Sequence, residues 1–199
     1  MAPLTASLPE DVHVLMAISN CNDHVGRLHY LRDLAKNGAA PLAARFSVLL
    51  CRLSVRVGIV IHSFGGCDHN AEMVSHCAGS DHIQRWEIKQ IMSVRYPFVA
   101  ALENSASQYY VTEKLMDAFI AGSIPIHKGQ DHERLRHFCP NEHSCLNTAD
   151  FKSPADMAAH MLYLVSNQTA YDEYLDWYAP LPSPPPFTVL LGFVTRSPG

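Results

Sequence analysis

Two short polar stretches carry the side chains best suited to chemistry. In Ser19-Asn20-Cys21-Asn22-Asp23-His24-Val25-Gly26-Arg27, a guanidinium stands at a prospective helix start, where it and the first backbone N–H groups can face a phosphate. The second runs through Glu103-Asn104-Ser105 to Tyr110-Val111-Thr112-Glu113-Lys114. There a carboxylate can accept from ribose or sugar hydroxyls while an ammonium neutralises a diphosphate. Taken singly, each residue also has an ordinary reading: Arg27 as a solvated helix residue, Glu113-Lys114 as an exposed first-turn pair, Glu103-Asn104-Ser105 as a turn, and Tyr109-Tyr110 as a cap on the core. Residue chemistry alone reaches an α/β domain with an anion-binding aspect.

Histidine and cysteine raise a different chemistry. The chain has 12 His and 6 Cys. His132 and His137 stand five apart, which on a helix leaves their rings roughly 140° from one another, whereas a zinc-binding helix needs a spacing of four. His137, Cys139, His143 and Cys145 form no standard zinc framework, so no metal site is assigned. None of the cysteines forms a CxxC pair, and they leave the redox compartment open. Asn167-Gln168-Thr169 is an N-glycosylation sequon, which would suit a lumenal protein.

The polar stretches need elements to hold them. Val12 to Ile18 reads as a buried strand ending at the Ser19–Asp23 cluster, and Leu28, Leu31, Leu34 and Ala35 fall at helical spacing from an Asp23 start until Gly38. Val57 to Ile61 is a second strand, and Phe98 to Leu102 a third that delivers the chain into Glu103-Asn104-Ser105. Residues 82–93 have a helical pattern. Tyr110 to Ala121 is predicted as a helix with Val111, Leu115, Ala118 and Phe119 on one face and Gly122 beyond its end. A short strand at Ile124 to Ile126, a helix at Pro154 to Leu164 and a last helical turn or two at Tyr171 to Trp177 complete the series. Strands alternating with helices predict an α/β, Rossmann-like parallel sheet with helices on both faces, whose ligand crevice opens at the strand C-termini. The domain spans 12–178, with an N-terminal extension at 1–11, an insertion at 39–55 and a Pro-rich, disordered tail at 179–199.

Composition narrows the function. A net charge of −4 with scattered Lys and Arg provides no basic field for nucleic acid. The most apolar stretch, Leu42 to Ile61, is broken by Arg45, Arg52 and Arg56 and makes a poor membrane span, and residues 1–15 show no secretory signal.

Longer segments carry a resemblance. Tyr96-Pro97-Phe98-Val99-Ala100-Ala101-Leu102-Glu103-Asn104-Ser105, then Tyr110-Val111-Thr112-Glu113-Lys114-Leu115, then Ala121-Gly122-Ser123-Ile124-Pro125-Ile126, resemble the C-terminal region of the α-1,3-fucosyltransferases of glycosyltransferase family 10. Ala149-Asp150-Phe151-Lys152-Ser153-Pro154 and Tyr171, Tyr174 and Trp177 resemble flanking family segments, as do Ser19-Asn20-Cys21, Arg27 and Tyr30 upstream. The likeness extends over roughly residues 12–178. It implies one half of a GT-B enzyme, the domain that binds the donor GDP-fucose, with no tightly bound cofactor and the divalent-metal requirement open.

Carried over residue by residue, the resemblance puts Arg27 and Lys114 on the diphosphate, Glu113 on a sugar hydroxyl of the donor, and Asn104 and Tyr110 in the donor pocket. Removing Arg27 or Lys114 is expected to weaken nucleotide binding and leave the fold intact. The implied reaction is inverting transfer of fucose to a glycan or glycoprotein acceptor in the Golgi lumen, with any membrane contact made through an anchor outside this chain. The catalytic base is expected in an N-terminal acceptor domain outside these residues, so none is named. The other reading is a non-catalytic module that binds a nucleotide sugar or carbohydrate.

Overall fold

The computed structural model describes residues 12–38, 58–71, 89 and 92–178. The expectations for the 1–11 extension, the 39–55 insertion and the 179–199 tail lie outside the described residues. So does most of the 82–93 helix, of which Lys89, Met92 and Ser93 are described and are helical.

In chain order the elements are β1 (Val12–Met16), α1 (Arg27–Gly38), β2 (Ile59–Ser63), β3 (Phe98–Leu102), α2 (Glu113–Ile120), β4 (Ile124–Lys128), α3 (His132–Leu135), β5 (Leu146–Asn147), α4 (Pro154–Ser166) and α5 (Gln168–Glu173). Single 3-10 turns follow at Thr148–Asp150 and Asp176–Tyr178. The strands form one parallel five-stranded sheet in the order β2-β1-β3-β4-β5. This is a doubly wound order whose topological switch point falls between β1 and β3.

Strand alternation distributes the core over both faces. All five residues of β3 are buried. Phe98, Ala100 and Leu102 join Leu28, Leu31 and Leu34 of α1 and Met157 and Met161 of α4 on one face. Val99 and Ala101 point the other way, toward Ala118, Leu115 and Phe119 of α2. Fully burying a Leu or Phe contributes about 1.5–3 kcal/mol, so these two apolar layers fix which way every strand presents its alternate residues.

Several boundaries differ from expectation: β1 ends at Met16 and not at Ile18, α1 begins at Arg27 and not at Asp23, and β4 runs on to Lys128 and α4 to Ser166. Gln168–Glu173 with a separate 3-10 turn replaces one helix at Tyr171 to Trp177. Two further shifts, in β2 and α2, have a visible cause. Strand β2 lies two residues later than predicted because His62 and Ser63 stay in the ladder opposite Leu15 and Met16, their polar groups satisfied by Tyr96 Oη at His62 Nδ1 (2.8 Å) and by Cys67 O accepting from Ser63 Oγ (2.5 Å). Helix α2 starts at Glu113, not at Tyr110, because Thr112 is its extended N-cap residue (φ −114°, ψ −175°), held there by the site. Strand β5 and helix α3 were not anticipated.

Two disulfides fasten the loops. Cys21–Cys67 ties the loop after β1 to the loop after β2, and Cys139–Cys145 closes a short loop before β5. The second bond consumes both thiols of the zinc alternative. Gly65 is required beside the first, since a Cβ there would stand 2.2 Å from the Ile18 carbonyl oxygen.

Candidate functional site at the carboxyl edge of the sheet

Alternation continues past the strand ends and sorts the polar residues by face. Beyond Leu102, Glu103 turns to the α2 side and Asn104 to the α1 side. On β4, His127 shares the α2 side, and Lys128 lies over Tyr30 of α1. The C-terminal edge thus has two polar flanks meeting at the Glu103–Asn104 peptide, beside the β1/β3 switch point.

On the α1 flank, Arg27 is only 1% exposed. Its Nη1 donates to Asn104 Oδ1 and its Nη2 to the Asn20 carbonyl, clamping the loop after β1 against the loop after β3. Its Nε is buried and makes no hydrogen bond among the described residues. The reading of Arg27 as a solvated helix residue is therefore corrected.

The helix start beside it is also different from expectation. Asp23 Oδ1 accepts from Leu28 N (3.0 Å) and Oδ2 from His29 N (3.2 Å), so an internal carboxylate occupies the N–H groups proposed for a phosphate. Burial works to raise the Asp23 pKa, but those N–H bonds and the Arg27 charge outweigh it and hold the acid below its usual range. Asp23→Ala is expected to lower stability by about 1 kcal/mol, and Asp23→Asn by less, because Asn keeps a capping oxygen. Urea denaturation checks the order; equal losses would show that the cap contributes nothing specific.

On the α2 flank, Glu103 is fully buried. Its Oε1 accepts from Thr112 N (2.8 Å) and from Thr112 Oγ1 (2.9 Å), and Lys114 Nζ donates to its Oε2 (3.0 Å). Lys114 Nζ also reaches Thr112 Oγ1 (2.6 Å) and lies 3.5 Å from Glu113 Oε1. These bonds stop α2 at Thr112 and hold the ammonium at its first turn, 18% exposed, while the Glu113 side chain is 70% exposed. Burial works to raise the Glu113 acid, but its own N–H and the Lys114 charge prevail and keep it below the usual range.

Tyr110 lies in the loop before α2 and is partly exposed. Buried Gln130 clamps that loop: its Nε2 donates to Ser107 O (2.6 Å) and Tyr110 O (3.4 Å), and its Oε1 accepts from Tyr109 N (3.1 Å), holding Tyr109 at φ 57°. Gly129, at φ +149°, lets β4 approach, since a Cβ there would come within 3.1 Å of Glu103 Cβ.

The structure thus joins Arg27 with Asn104 and Lys114 with Glu113, and it places Tyr110 on the loop between the flanks. Sequence reasoning missed Gln130, His127 and Lys128, and it took Glu103 for a turn or ligand residue, not the anchor of Lys114. Continuing the inside–outside alternation of the Ile124 to Ile126 run by two residues finds His127 and Lys128, and continuing that of Phe98–Leu102 by one finds Glu103, whereas no local signal finds Gln130 beyond the Gly129 turn. Lys128 Nζ lies 5.4 Å from the centroid of the Tyr30 ring, one turn along α1 from Arg27, as a third cation on this edge.

His127 is fully buried, and its Nε2 accepts from Gln130 N (3.3 Å). Burial pushes its pKa down from 6.5 to about 4, outweighing the opposite pull of Glu103. A depressed imidazole stabilises the fold fully above its unfolded pKa, and that contribution is lost as pH falls from 6.5 toward 4. Between about pH 7.5 and about pH 5 this residue is expected to cost roughly 2 kcal/mol. Urea unfolding of the wild type and of His127→Gln at both pH values isolates it: the variant should lose less, and equal losses would refute a buried neutral imidazole.

Residues 49–184 match the family profile described as "Glycosyltransferase family 10 (fucosyltransferase) C-term". The chain is 25% identical over 159 residues to the GDP-fucose protein O-fucosyltransferase 3 of Gallus gallus, covering 80% of this chain and 28% of that protein. It is 34% identical over 123 residues to an Alpha-(1,4)-fucosyltransferase of Arabidopsis thaliana, covering 60% of this chain and 30% of that protein. The chain therefore spans less than a third of the curated relatives it matches. A crystal structure of an alpha1,3-fucosyltransferase with GDP-fucose superposes on 96% of this chain and 49% of its own, with a TM-score of 0.55 at 19% identity. The fold is that of one half of a GT-B glycosyltransferase, as expected from the sequence.

Proposed function

The chain belongs to glycosyltransferase family 10, and from that premise we propose that it is the donor-binding part of an inverting fucosyltransferase using GDP-fucose. The observation that carries the reading is the pair of cationic flanks, Arg27 with Asn104 and Lys114 with Glu103, at the β1/β3 switch point of a family sheet. One relative's name specifies a protein acceptor and another's an α-1,4 linkage, and both specify fucosyl transfer. The fucosyl donor is common to these names, and α-1,3 transfer to a glycan hydroxyl is the acceptor half of the proposed reaction.

Lys114 meets the diphosphate directly, its ammonium already oriented by a buried carboxylate. Arg27 reaches it by exchanging its bond to the Asn20 carbonyl, on an exposed loop, for one to phosphate oxygen. Lys128 adds a third charge from the α1 flank. Glu113, kept ionised, accepts from a sugar hydroxyl, and Asn104 and Tyr110 line the pocket. As the fucosyl–oxygen bond breaks, charge grows on departing GDP, and fixed cations stabilise that state more than the ground state. Attack from the opposite face inverts the anomeric carbon.

The reading places the chain in the Golgi lumen, supported by two disulfides of the kind that persist in oxidising compartments. No helix among the described residues is long and apolar enough to cross a membrane. Radiolabelled GDP-fucose tests the division of labour: the 199-residue chain is expected to retain the donor without fucosylating N-acetyllactosamine-type acceptors. Turnover would place the base within these residues, and failure to retain donor would refute the reading.

A further inference from the structure

The Asn167-Gln168-Thr169 sequon is not used by the donor site. Asn167 ends α4 and caps α5, with Oδ1 accepting from Ala170 N at 3.2 Å. Its Nδ2 points the other way, to the hydroxyl of Tyr163, 3.1 Å distant, in a contact that is itself exposed. The cap uses the oxygen and leaves the nitrogen at the surface. A substituent on Nδ2 replaces one of its two hydrogens, so both the cap and one bond to Tyr163 survive. The ring of Tyr163, 51% exposed, offers an apolar face to a pyranose attached there.

The position is also remote from the donor edge. Helix α4 follows β5 and returns along the sheet, so its C-terminal end lies at the strand N-termini. The bond from Tyr171 Oη to Pro97 O (3.0 Å), just before β3 begins, confirms that this is the opposite edge from Glu103 and Asn104.

We propose that Asn167 is a site of N-linked glycosylation, its Nδ2 displacing the diphosphate of a lipid-linked oligosaccharide. The Nδ2–C1 bond forms, the bond from C1 to the diphosphate oxygen breaks, the lipid diphosphate leaves with the electron pair, and Nδ2 gives up one proton. This rests on the lumenal placement above and is independent of which nucleotide sugar the chain binds.

The test is secretion of the full chain from eukaryotic cells behind a cleavable leader, followed by peptide-N-glycosidase treatment and peptide mass spectrometry. Secreted chain should lose one glycan's mass on treatment and carry Asp at position 167. Thr169→Ala should abolish the shift with the Asn167 cap intact, and Thr169→Ser should retain it. Secreted, disulfide-bonded wild type with unmodified Asn167 overturns the proposal. GDP affinity, measured on the same material, should be indistinguishable between wild type and Thr169→Ala, and it judges the donor reading separately.

Discussion

Lys114→Ala is expected to lose about 3 kcal/mol of stability and to bind GDP roughly ten- to hundredfold more weakly. The two losses have different causes. Removing the ammonium leaves the fully buried Glu103 carboxylate without its ion partner, and an uncompensated buried charge is strongly destabilising. Binding falls because a charge-assisted contact to phosphate is gone. Adding Glu103→Gln separates them: the double variant should recover much of the lost stability, since an amide still accepts from Thr112, yet bind GDP no better than Lys114→Ala. Recovery of both would mean that Lys114 acts only by supporting the fold; recovery of neither would mean that Glu103 is not its anchor. The fold was expected from sequence to survive loss of this lysine intact, and the buried partner revises that.

Arg27→Ala should cost roughly 2–3 kcal/mol, because a buried side chain and two hydrogen bonds are removed together. It should also weaken GDP binding about tenfold or more, while guanosine, which has no phosphate, is affected far less. Arg27→Lys should fall between, since a lysine keeps the charge but cannot span Asn20 and Asn104 with one rigid fork. Chemical denaturation with calorimetry under folding conditions reads both effects. If folded Arg27→Ala binds GDP as the wild type does, Arg27 is a structural clamp and only Lys114 and Lys128 remain to meet the diphosphate. On the proposed reading Arg27 and Lys114 meet the same diphosphate, so their binding losses should not add.

Much of this was legible in the sequence, for identifiable reasons. Phe98–Leu102 announces itself as a short apolar run meeting a polar cluster, and α1 by three leucines at helical spacing. The first turn of α2 was misplaced because local apolar spacing includes Val111, whereas a bond from a residue nine positions away sets the boundary at Thr112. Arg27 looked solvated because nothing local shows that Asn104, 77 positions on, supplies its acceptor. Asp23 reads as a helix start, but local sequence does not show that its own carboxylate fills the N–H groups a phosphate would use, with the helix itself beginning at Arg27. Cys21–Cys67 was invisible because pairing depends on β1 and β2 being neighbours. In each case a long-range polar contact decided what periodicity could not.

On the proposed reading, this edge of the sheet binds guanosine diphosphate carrying fucose. Isothermal calorimetry of the full 199-residue chain with GDP-fucose, GDP and UDP-glucose tests it most directly. Saturable binding of GDP and GDP-fucose is expected, with markedly weaker binding of UDP-glucose; equal or tighter binding of UDP-glucose would overturn the assignment of the donor.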